Sequence, residues 1–211
     1  YGLGTEASLP RLAPFVWQNG GEPAALEGGL RPARLALDPP AAREAVEWFV
    51  ALQTEHGVVP DAVAEAAESS ESRFMAGRMG MFLDSRRAVP TFRDIEAFDW
   101  DVAPLPQREQ AAGILHTDAY CMAGAAQDKD AAWTFIEFAN SPDGQAIVAA
   151  SGRTVPSLVE VAESTAFLDP EVPPASSRLL LEGIPVLRSV PIMAGWVDIE
   201  EVAGDELERA F

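Results

Sequence analysis

The sequence predicts an α/β fold, and three observations predict it. Short apolar or alternating runs recur along the 211 residues, each separated from the next by a longer run whose apolar residues return every three or four positions. Glycines and prolines fall at the borders of these runs, where they stop and start helices. The length suffices to bury a substantial core, as one large domain or two small ones.

Taken in order, Ser8 is placed to cap a helix with Pro10 in its first turn. Leu9, Leu12, Phe15 and Val16 give that helix an apolar face, and Gly20-Gly21 end it. Leu35 and Leu37 alternate across a short strand. Asp38, Pro39 and Pro40 then open a helix in which Ala42, Val46, Phe49, Val50 and Leu52 recur at near-helical spacing until His56-Gly57. The acidic run DAVAEAAESSES is expected to be a solvated helix and loop, and Arg73 to Ala76 a helical turn stopped by Gly77. Met79 to Leu83 are apolar on both faces, which predicts a strand buried in a sheet covered on both sides. Asp84-Ser85 start another helix, carrying Val89, Phe92 and Ile95.

FDWDVAPLP reads as a strand leaving through its prolines, QREQAAG as a polar loop and ILHTDAYCMAGA as a longer strand. Asp128 caps a helix built on Ala132, Trp133, Phe135, Ile136 and Phe138, and Ser141-Pro142 open a further helix closed by Gly152. FLDPEVPPASS is a proline-rich surface connection. A short helix, an extended VLRSVPIM and a terminal acidic helix after Trp196 follow. Trp48, Trp100 and Trp133 are expected in the core, and Trp17 is expected to pack within the first helix.

Composition narrows the function. The net charge of -18 argues against nucleic acid and against docking on anionic lipid. Lys129 is the single lysine among fifteen cations, a bias of the kind a GC-rich genome produces. With one cysteine, Cys121, there is no intrachain disulfide, and two histidines are too few for a Cys/His zinc site. No apolar run approaches membrane-spanning length. The chain starts at Tyr1 in mid-pattern and reads as a piece of something longer, so the lack of a signal peptide says nothing about compartment.

FMAGRMGMFLDS has a phenylalanine, a short gap, a glycine, another gap, then glycine-methionine and a strand. It resembles a motif of the extracellular solute-binding proteins of ABC importers, the group that includes maltose-binding protein. PFVWQNGGE, LDPPAAREAVEWFVAL, FDWDVAPLP and DAAWTFIEFANSPDGQAIVAASGRTVPS are similar to further elements of that family and fall in the family's order. The likeness spans essentially the whole chain, except that an entire first lobe is missing at the front. It implies a periplasmic-binding-protein-like fold of type II. Residues 1–112 and 157–211 would form the C-terminal lobe, with 113–156 returning to the N-terminal lobe. The Trp133–Phe138 helix would then lose its usual packing partners, leaving an apolar patch open to dimerisation.

The candidate site residues lie where charge interrupts apolar runs. In open α/β sheets ligands sit beyond the carboxyl ends of strands. At such an end Asp84, Ser85, Arg86 and Arg87 either bind a ligand or merely cap a helix and pair with nearby acids; the residues alone leave both readings open. Many relatives carry an aromatic where Arg87 stands, which allows a ligand with an acidic or strongly polar group. His116, Thr117 and Asp118 interrupt what should be a buried strand; they are either satisfied by backbone or, as the resemblance implies, exposed to ligand at the floor of a cleft. Trp196 matches a position where sugar-binding members stack an aromatic on a pyranose, and is otherwise an ordinary half-buried indole.

The expectation is a receptor component of an ABC importer that captures a carbohydrate by hinge closure, with no catalytic residue, metal or cofactor. Its partners would be a small-molecule carbohydrate and the membrane permease. It would be extracellular or periplasmic and held by an upstream lipid anchor. Two other classes are weighed. One is a glycoside-acting enzyme pairing Asp84 with Asp118 or Glu200, though no catalytic motif accompanies them. The other is an acidic protein-interaction module.

Overall fold

The structure is a computed structural model and describes residues 1–27, 31–190 and 194–211. The chain divides into two compact units: Tyr1–Leu83, Leu105–Leu115 and Pro185–Phe211 form the first, and Asp84–Pro104 with His116–Ile184 form the second.

The first unit opens with β1 (Leu3–Gly4) and α1 (Leu9–Gln18). Pro10 sits at the helix start as expected, but Ser8 makes no side-chain cap bond. Gly20, at φ +76°, takes the left-handed step that lets the Gly21 amide donate to the Val16 carbonyl, closing the helix. A hairpin follows, β2 (Ala24–Glu27) against β3 (Arg31–Leu35), antiparallel with Ala24 opposite Leu35 and a bulge between Ala25 and Leu26. The expected strand at Leu35 and Leu37 thus ends at Leu35, and its partner strand was not foreseen.

α2 (Pro40–Thr54) lays Ala42, Ala45 and Phe49 against Leu12, Phe15 and Val16 of α1, and the Phe15 and Phe49 rings lie 5.6 Å apart. Trp48 is 42 % exposed rather than core, with its ring 5.1 Å from that of Phe15. α3 (Ala62–Ala67), capped by Asp61, buries nothing, as its acidic composition predicts. α4 (Ser70–Met75) starts earlier than expected. Its Arg73 is buried between Glu65 and Glu68 and donates to the Ala64 carbonyl.

β4 (Met81–Phe82) pairs in parallel with β1. The predicted five-residue strand buried on both faces is not there. β1 offers only two residues to pair with, and Met81 is 62 % exposed while Met79 is buried.

At Asp84 the chain enters the second unit, where a 3₁₀ turn (Arg86–Ala88) leads into α5 (Val89–Phe92). FDWDVAPLP forms no strand; Pro104 and Pro106 deny it ladder donors. Back in the first unit, β5 (Gly113–Ile114) is all that forms of the expected long strand ILHTDAYCMAGA. Gln18 donates to the Ala112 carbonyl and Gln110 to the Trp17 carbonyl, fastening this stretch to α1. Trp17 is buried there with Ala13 and Ala112.

The rest of the second unit is helical: α6 (Lys129–Ala139), α7 (Pro142–Ala150), α8 (Val159–Ala162), α9 (Thr165–Leu168) and α10 (Arg178–Glu182). The caps read from sequence form: Asp128 accepts from the Ala131 amide at 2.8 Å and Ser141 from the Gly144 amide at 3.2 Å. Ala149, Val161 and Phe167 make the core. Phe167, Pro174 and Ser177 are buried, so FLDPEVPPASS is only partly a surface connection. On α6, Trp133 is 57 %, Phe135 60 % and Phe138 51 % exposed, against the expectation that Trp133 is core.

The chain returns to the first unit through β6 (Leu187–Arg188), parallel to β5, and ends in α11 (Trp196–Ala210), whose Ala203 and Leu207 are buried, Leu207 in the core with α1 and α2. The last residues of the expected extended stretch, Pro191 to Met193, lie outside the described residues.

Candidate functional site

The junction after Leu83 exposes Asp84 and Arg87 and half-buries Ser85. Asp84 Oδ1 accepts from the Ser85 amide at 2.6 Å, and the Ser85 side chain makes no cap bond. Arg86 turns inward. Its guanidinium lies over the Phe167 ring at 4.4 Å, and Nη1 donates to Ser177 Oγ at 3.3 Å. Nε and Nη2 are shut off from solvent and have no hydrogen-bond partner among the described residues. Burial, reinforced by the neighbouring charge of Arg93, lowers the Arg86 pKa to about 10. No carboxylate ion-pairs with it among the described residues, so the pairing with acids weighed from sequence does not occur at Arg86.

Arg93 ties this region together. Its Nε donates to the Pro173 carbonyl and its Nη1 to the Ala150 carbonyl, each at 2.7 Å. Burial lowers its pKa despite the opposing pull of Asp169. Nearby in sequence, Asp101 accepts from the Ser176 amide at 2.9 Å and the Ser176 hydroxyl at 2.6 Å. Burial raises its pKa, but the Ser176 hydroxyl and amide and the Val102 amide lower it further, leaving it below the usual carboxylate range.

His116, Thr117 and Asp118 are exposed, on a stretch without strand structure just past β5. The premise that they are buried polar groups is corrected. β6 supplies two residues for pairing, and the last ladder-like bond, from the Leu115 amide to the Arg188 carbonyl at 2.9 Å, comes before them. Trp196 is the half-buried first residue of α11, preceded by Gly195 at φ +76°. Asp84 to Arg87 and His116 to Asp118 belong to the second unit, Trp196 to the first.

One concavity was not foreseen. In the second unit, Phe98, Asp99, Trp100, Asp101, Pro170 and Pro173 border an open hollow of about 420 Å³. Half-buried Trp100 stands edge-on to Phe92 at 5.8 Å. The two borders are some seventy residues apart in sequence, so no local pattern announces it.

The same backbone occurs in solved proteins. An ABC substrate-binding protein, Lmo0181, from Listeria monocytogenes in complex with cycloalternan matches 100 % of this chain and 53 % of its own, with a TM-score of 0.84 at 20 % identity. An ABC transporter solute-binding protein from Thermotoga lettingae bound with α-D-tagatose matches 99 % of this chain and 54 % of its own, at TM-score 0.82 and 18 % identity. Maltose-bound MalE3 from T. maritima matches 100 % and 55 %, at 0.77 and 19 %. The fold is therefore that of the type II periplasmic-binding proteins, and the chain spans about half the length of these structures. The chain belongs to the family of bacterial extracellular solute-binding proteins, whose sequence profile matches residues 12–174. A comparison with curated proteins gives no match. No helix among the described residues is long and apolar enough to cross a membrane.

Proposed function

We propose that this chain is the C-terminal portion of a receptor that captures a carbohydrate for an ABC importer, closing two lobes over it without chemical change. The observation that carries the reading is the likeness over the full chain, at TM-score 0.84, to a receptor solved with cycloalternan; the tagatose and maltose complexes support the same ligand class. Asp84, Ser85, Arg87, His116, Thr117 and Asp118 are at least partly open to solvent and so available to hydroxyls, and Trp196 offers its indole to a sugar face. Covering about 60 Å² of such a face is worth on the order of 1–2 kcal/mol.

Residues 1–112 and 157–211 would build one lobe and 113–156 return to the other. These limits differ from those of the two compact units, which reflect packing within this chain alone. The half-exposed aromatic residues of α6 support a further packing partner there, whether the rest of the receptor or a second copy. Permease subunits would recognise the closed form, and a lipid anchor would hold the whole receptor outside the cell.

The test is a thermal-shift panel of neutral mono- and oligosaccharides on the whole receptor, with product analysis. A saturable rise in Tm with the sugar recovered intact is expected. A converted sugar, or no response to any member of a broad panel, defeats the reading.

A further inference from the structure

We infer that the hollow of the second unit binds a small organic cation, an alkylated ammonium, between Asp99 on one border and Glu171 on the other. The hollow holds about 420 Å³, within the size range of small-molecule sites, and it opens to solvent. Its two borders are fastened to each other before anything binds. Asp101 accepts from the Ser176 amide and hydroxyl, and Arg93 donates to the Pro173 carbonyl.

The lining selects the ligand. Phe98, Trp100, Pro170 and Pro173 give it aromatic and apolar walls, and the carboxylates of Asp99, Asp101 and Glu171 border it. Donors are scarce. No lysine, arginine, amide or hydroxyl side chain lines the hollow among the described residues, and the Trp100 indole N–H is shut off from solvent. Pro170 and Pro173 have no amide hydrogen, and the Glu171 amide is already given to Asp169 Oδ1 at 3.0 Å. A sugar hydroxyl asks for donors as well as acceptors, and an anion asks for donors alone, so walls that mostly accept serve neither. They serve a cation, whose alkyl sheath covers apolar wall while its charge is drawn to aromatic faces and carboxylates. Asp101 is committed to Ser176 and to the Val102 amide, which leaves Asp99 and Glu171 as the available charges. Both are exposed, and neither carboxylate forms a hydrogen bond or ion pair among the described residues. Arg93 stays out of the lining, turned to the Pro173 and Ala150 carbonyls. None of the residues proposed for the sugar cleft borders this hollow, so the inference is independent of the receptor reading.

The experiment titrates choline, tetramethylammonium and butylammonium into the whole receptor at constant ionic strength, reading heat and saturation-transfer NMR of the alkyl protons. The control ligand is neopentylcarbinol, which keeps the shape of choline with carbon in place of the charged nitrogen. At least one cation should bind saturably, and the neutral alcohol should bind about tenfold more weakly than choline or not at all. Asp99→Asn and Glu171→Gln should each weaken the cation a few-fold and together about tenfold. Tm without ligand should stay unchanged in both variants, because the two side chains are exposed and unpaired. No binding of any of the three cations, or equal binding of choline and the alcohol, overturns the site. So does cation binding that the double variant leaves intact, the result expected of general attraction to a chain of net charge -18. The neutral-sugar panel bears on the receptor reading alone.

Discussion

Gly152 lies directly against Arg93. At φ +88°, a Cβ placed on Gly152 would fall 2.9 Å from Arg93 Cζ and 2.7 Å from Val89 Cγ1. That close approach leaves Arg93 free to span the Ala150 and Pro173 carbonyls. Gly152→Ala should therefore suffer twice, through left-handed backbone strain of about 1–2 kcal/mol and through displacement of Arg93. Gly20→Ala, at φ +76° with nothing within 4 Å, should suffer only the first. Urea midpoints of the two variants should rank with Gly152→Ala the lower; equal midpoints would show that the contact is immaterial.

Asp101 should make the second unit acid-sensitive. Its pKa in the folded chain lies below the usual carboxylate range, because Ser176 and the Val102 amide favour the charged form over the opposing effect of burial. The sign follows: its stabilisation is present above about pH 4 and is lost as pH falls through the lowered pKa. Asp101→Asn should lower stability at pH 7 and shrink the loss between pH 5 and pH 2, measured by urea unfolding at each pH.

The cap of α6 is testable in isolation. Asp128→Ala removes the acceptor of the Ala131 amide and should cost about 1 kcal/mol, whereas Asp128→Asn should cost much less. Circular dichroism during thermal unfolding would separate the two.

For the proposed sugar site, Trp196→Ala should weaken the best carbohydrate roughly tenfold, in line with about 1–2 kcal/mol of stacking, while Tm without ligand changes little because the side chain is only half-buried. Arg87→Ala should weaken acidic ligands more than neutral ones. Isothermal titration reads both.

The aromatic face of α6 gives a test of association. Sedimentation velocity should show self-association of this chain that falls when Trp133, Phe135 and Phe138, each more than half exposed, are replaced by serine. A monomer at all concentrations would remove dimerisation from consideration.

Helices were legible because their signals are local. Asp128 and Ser141 cap where they should, and Gly20, Gly57, Gly77 and Gly152 all carry positive φ at helix ends. Strands were not, because a strand's length is set by its partner. β4 stops at two residues since β1 supplies two, and β5 stops for the same reason at β6. Buried and exposed tryptophans were confused where covering depends on distant chain: Trp133 fits a helical apolar pattern, yet it is left more than half exposed. Of the candidate site, the charged break after Leu83 was visible, but not that Arg86 would turn inward over Phe167, eighty-one residues away.

The first unit is stitched from three separate stretches of chain, and Leu207 and Phe211 pack on Phe49, the latter ring at 5.3 Å. Its interior cannot close on the ribosome until residue 211 has emerged from the exit tunnel. At ordinary elongation rates of about 5–20 residues per second, the faces of α1 and α2 that Leu207 and Phe211 cover stay open for about 8–30 s. Such a nascent chain is a natural client for holdase chaperones, and for an export route that requires its cargo unfolded.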